Sequence, residues 1–130
     1  MAAARAFSYL SDPARLGEWA LGCWGAADVG SGVVRGTSLF DGSATFARPV
    51  PNEDHLIVDF EVGNDPGGLV RRISTRVVPG DQLGVSETKS LVVLTAWRLD
   101  SMDNDRWQQL VAAHQAEALL LRHRLETVVP

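Results

Sequence analysis

Three histidines, one cysteine and a scatter of carboxylates are the residues of this 130-residue chain whose types could do chemistry. His114 comes first, because it falls on the apolar stripe of a segment with helical periodicity, where leucine would pack better. With an ordinary pKa of about 6.5, an imidazole facing a cavity could act as general acid or base, or donate to a ligand oxygen. The plainer reading is a core histidine satisfied by a neighbour. No partner stands near it in sequence, so Tyr9, Thr75 or Thr95 could reach it only through the fold.

The other candidates have weaker patterns. Asp59 and Glu61 stand two apart in a strand-like run and so share a face. They read either as an acid–base pair or as a solvated outer face offset by Arg72 and Arg76 from a neighbouring strand. Glu87 reads the same way, as an outer-face residue or a pocket group. His55 and His123 look exposed and have no clustered carboxylates or cysteines, so neither a metal site nor a cofactor is expected. Cys23, beside Trp24, lacks a basic partner and reads as a small buried hydrophobe. "GNDPGG" (63–68) lacks the strand–loop–helix setting of a phosphate-binding loop, and is expected to be a loop at a pocket mouth.

The totals exclude several classes. Net charge is −4 and the basic residues are scattered, so no stripe exists to neutralise a phosphate backbone, and nucleic acid is not expected as a partner. A single cysteine cannot form an intramolecular disulfide and suits a reducing compartment. "MAAARAF" does not have the form of a signal peptide, and "LVVLTAW" (91–97) is far shorter than the roughly 20 residues of a membrane span. We therefore expect a cytoplasmic domain without membrane insertion. The length suits a single domain over residues 1–130.

The elements that must position these residues follow from periodicity. In "FSYLSDPARLGEWALG" (7–22), a short alanine-rich helix ends at Asp12-Pro13. Asp12 can cap a second short helix, over 13–20, whose first residue is Pro13. Strand signals run from Trp24 to Leu99. "VVRGTSLF" and "SATFARPV" flank Asp41-Gly42, a hairpin signature. "HLIVDFEV" (55–62), "LVRRISTRVV" (69–78) and "VSETKSLVVLTAWRL" (85–99) follow, joined by short turns that favour an antiparallel meander. From about Asp103 to Thr127, Trp107, Leu110, Val111, His114, Ala118, Leu121 and Leu125 recur at helical spacing. That helix would be roughly 37 Å long, enough to cross a sheet.

The order of two short helices, an antiparallel meander and one long C-terminal helix resembles the helix-grip fold of the START-like (SRPBCC) superfamily, which includes Bet v 1-like proteins and polyketide cyclases. The stretch "FSYLSDPARLGEWALG", the Asp59 strand, the "RVVPGDQLG" turn and the ending "LLLRHRLE" carry the resemblance. It implies an α+β fold in which a curved antiparallel sheet of about six strands wraps around the long helix. It also implies a small hydrophobic ligand, such as a lipid, polyketide or aromatic, held between sheet and helix. Val58, Phe60, Ile73, Thr75, Val77, Thr95 and Trp97 would line that space from the strands, and Trp107, Val111 and His114 from the helix.

Two alternatives stand beside that binding role. One is a cyclase/dehydratase-like enzyme using His114 as acid or base. The other is a protein-interaction module with a filled core. A cavity with His114 beside another polar group favours the enzyme, an all-apolar cavity a carrier, and a filled groove the module. "MAAARA" is too short to supply the edge strand with which such folds usually begin. Either the natural start lies upstream or the last strand has an open edge, and a homodimer that covers it is expected.

Overall fold

The computed structural model describes residues 1–127. Its element order is α1 (Ala3–Ser11), 3-10 helices at Pro13–Glu18 and Leu21–Cys23, and β1 (Trp24–Gly30). Then come β2 (Val33–Thr37), β3 (Ala44–Asn52), β4 (Ile57–Gly63), β5 (Val70–Pro79), a 3-10 turn at Gly80–Leu83, β6 (Ser90–Ala96) and α2 (Asn104–Thr127). The six strands form one antiparallel meander in sequence order, leaving β1 and β6 as its edges. The fold is therefore α+β with a helix-grip arrangement, as expected.

The opening stretch folds as its residue types direct. The Asp12 carboxylate accepts from the Ala14 N–H at 3.0 Å, with Pro13 in the first helical position. Glu18 then fastens this turn to α1, accepting from the Tyr9 hydroxyl at 2.7 Å and from Arg15 at 3.0 Å. Gly17 is required by close approach: a Cβ there would lie 2.2 Å from the Ala26 backbone nitrogen. This contact seats the 3-10 helix on β1 and turns Trp19 into the core, where its ring meets Phe60 edge-on at 5.7 Å.

α1 packs across β3 to β6, so Ala6 and Leu10 share a core with Val58 and Val77. At the other end Asp103 caps α2 by accepting from the Arg106 N–H at 2.8 Å. Leu121 and Leu125 anchor the second half of α2 in the same core. No helix among the described residues is long and apolar enough to cross a membrane.

Several boundaries differ from expectation. The 41–42 hairpin has a wider loop, with Thr37 opposite Ala44 and the Asp41 carboxylate accepting from the Ser43 N–H at 2.9 Å. β1 and β2 form a further tight hairpin through Ser31 and Gly32, both at positive φ. The last strand starts at Ser90, not Val85, because the chain folds back there: Gly80 N–H donates to Lys89 O and Lys89 N–H to Ser86 O.

Candidate functional site

The sheet and the first half of α2 enclose a cavity of about 350 Å³. Its apolar wall is made by Leu16, Trp19, Phe60, Ile73, Leu110 and Ala113. Its polar groups include Arg72, Arg106, His114 and Glu117. The groove between sheet and helix is thus not filled by side chains. Asn64, at the start of the 63–68 loop, reaches the cavity rim and donates to Ala44 O at 3.1 Å.

Of the expected lining residues, Phe60, Ile73 and His114 meet at this cavity. Val58, Thr75 and Val77 point inward as expected but lie in solid core, in the part of the sheet covered by α1. The Thr75 hydroxyl is engaged there, donating to Val58 O at 3.4 Å. Thr95 and Trp97 need correction, since both are exposed. The register sets Leu94 opposite Thr75 and Val92 opposite Val77, so the alternate residues of β6 face outward. Trp107 and Val111 are half-buried and flank the helix face without lining the cavity. The inward stripe of α2 keeps Leu110, His114, Leu121 and Leu125 of the expected one but is turned so that Ala113 and Glu117 take the place of Trp107, Val111 and Ala118, the last of which is exposed.

That rotation brings in Glu117, a residue the sequence reading passed over. Its side chain is 8% exposed, with Oε1 3.7 Å from His114 Nε2. The other oxygen, Oε2, accepts from the Leu21 N–H at 3.0 Å. Burial pushes its carboxyl up to about 7, against the lowering effect of that bond. Burial, and then the charge of Arg72, pushes the His114 imidazole down. Near neutral pH the pair is thus an uncharged imidazole beside a carboxyl poised to gain or lose a proton. The 3.7 Å gap is too long for a hydrogen bond, but short enough for the two protonation states to interact.

Arg72 also departs from expectation. Phe60 pairs with Ile73 but Glu61 with Arg71, so Arg72 is the extra residue of a β-bulge. The bulge turns it into the cavity beside Ile73. The outer-face carboxylates are matched instead by Arg71, 3.5 Å from Asp59 and 3.6 Å from Glu61, and by Arg48 on Glu61. Arg76 is exposed and, among the described residues, makes no ion pair. Asp59 and Glu61 are thus outer-face charges, as the plainer reading had them.

The remaining candidates are quickly placed. His55, Glu87 and His123 are exposed. Cys23 lies in the cavity wall, where burial pushes its thiol up, away from the reactive thiolate. Tyr9 is committed to Glu18, so neither it nor the threonines serve His114. Among the described residues, no three His, Cys, Asp or Glu side chains gather as a metal site. No protein-family model matches the chain, and a search of curated proteins finds no match to it.

Proposed function

We propose that this protein holds a small molecule with an apolar body in the cavity between the sheet and α2, as a cytoplasmic member of the START-like group. The open cavity of about 350 Å³ carries the reading. It lies within the roughly 300–1,000 Å³ of ligand sites and pairs an apolar wall with a few convergent polar groups. Trp19 and Phe60, packed edge-on against each other, form the floor of that wall, and the half-buried Ile73 and Leu110 present apolar surface beside them. The test is fluorescence titration with N-phenyl-1-naphthylamine, a neutral apolar dye. Binding by the protein, lost in Ala113→Phe, which fills the cavity from the helix side, supports the reading. Equal dye response in both proteins counts against it.

A second reading, acid–base catalysis of the cyclase/dehydratase kind, draws support from His114 and Glu117. They stand 3.7 Å apart on a wall where a bound substrate would lie. The expected homodimer has its own support. β6, an edge strand among the described residues, borders a second cavity of about 410 Å³ toward α2, with Val92, Leu94, Leu121 and Leu125 in its walls. Leu91 and Val93 on the outer face of that strand are 48% and 40% exposed. A second copy pairing along β6 would cover both edge and apolar surface.

A further inference from the structure

Arg72 is held in the cavity wall with its charge unmatched. Its Nε is buried and has no hydrogen-bond partner among the described residues. Among the described residues no carboxylate comes within ion-pair distance of it, although Asp59 and Glu61 lie on the opposite face of the adjacent strand. Burial, and then the like charge of Arg106, weakens its hold on its proton, yet a guanidinium stays charged in a protein. A half-buried cation without a counter-charge is costly. Here the bulge in β5 imposes that cost, where simple alternation would have turned Arg72 out toward the carboxylates.

The other charged groups around the cavity do not relieve it. Arg106 adds a second positive charge from α2. Asp41 is kept ionised by the Ser43 N–H and, more weakly, by Arg106, so it offsets part of the Arg106 charge, but among the described residues it makes no ion pair with Arg72. Glu117 is bound to the Leu21 N–H, and its burial disfavours the charged form. His114 is pushed toward neutrality by the same guanidinium. The cavity therefore combines an apolar wall with an excess of positive charge, and a guanidinium suits the planar, two-oxygen geometry of a carboxylate.

We propose that Arg72, with Arg106, forms an anion subsite, and that the ligand is an apolar acid: a ring or chain packed on the apolar wall at Ile73 and Leu110 with its carboxylate on Arg72. This rests on the cavity-binding reading, and the experiment separates the two.

Isothermal titration calorimetry would compare 2-naphthoate with 2-naphthalenemethanol, which share a ring system and differ in the charged head. The native protein should bind the acid about tenfold or more tightly than the alcohol. In Arg72→Met the acid should lose that advantage while the alcohol binds as before, and the ligand-free variant should melt no lower than the native protein. Arg106→Ala, at an exposed position, should weaken the acid about threefold and leave the alcohol unchanged. Equal binding of acid and alcohol by the native protein would overturn the anion subsite and leave the cavity reading standing. Binding of neither would overturn both. Loss of both probes together in Arg72→Met, or its failure to fold, would make Arg72 a packing residue and also overturn the subsite.

Discussion

Glu117 Oε2 accepts a hydrogen bond from the Leu21 backbone N–H at 3.0 Å, across a sequence separation of 96 residues. One carboxyl thus fastens α2 to the 3-10 helix Leu21–Cys23 and faces the cavity. Glutamine at 117 could still accept that bond but could not titrate. Glu117→Gln should therefore fold with its cavity intact and separate the structural role of the side chain from its proton chemistry.

Stability should respond to pH through this residue. Its carboxyl is raised from 4.5 to about 7 in the folded protein, so between those values the folded state holds a proton that the unfolded chain has lost. The contribution is complete below pH 4.5 and is lost as pH rises through about 7. Relative to Glu117→Gln, the native protein should gain on the order of 3 kcal/mol between pH 8 and pH 4.5, measured by urea unfolding at each pH. A pH-independent difference would place Glu117 in water.

Gly17→Ala should destabilise by about 2 kcal/mol or more, because a Cβ 2.2 Å from the Ala26 nitrogen must push the 3-10 helix off β1. Thermal unfolding would show it. An unchanged melting temperature would mean that this packing yields freely.

Trp19→Ala should cost about 3–5 kcal/mol by removing a buried ring from the contact with Phe60. Denaturant unfolding checks the loss, and a cost below about 1 kcal/mol would contradict the packing described.

The architecture was legible where one local signal sufficed. Asp12-Pro13, the Asp41-Gly42 turn, the inward face of β4 and the long terminal helix all rest on short-range chemistry. The site was less so. The register that sends Thr95 and Trp97 outward is set by pairing with β5, and the bulge that turns Arg72 inward interrupts an alternation that sequence reading takes as unbroken. Glu117 was hidden by the rule that charged residues face water. The one available sign was its i,i+3 spacing from His114, which required taking that helix face as a cavity wall.

The imidazole of His114 should titrate below its ordinary value of about 6.5, since burial and Arg72 both oppose its charge. Proton NMR of the histidine ring signals checks this, with His114→Asn identifying the resonance. A value above 6.5 would mean that an ionised Glu117 outweighs both effects.

If β6 is the edge of a dimer, light scattering after size exclusion should give twice the 14.1 kDa chain mass. Val93→Lys, at an exposed edge position, should then give the single-chain mass while the fold is retained. A native protein of single-chain mass would remove the dimer from the account.

Native mass spectrometry of the purified protein shows whether the cavity holds a small molecule. Each subunit should carry mass beyond that of the denatured chain, lost on denaturation and missing from Ala113→Phe. A bare mass per subunit at every protein concentration, with no apolar probe able to add to it, would mean that the cavity binds nothing.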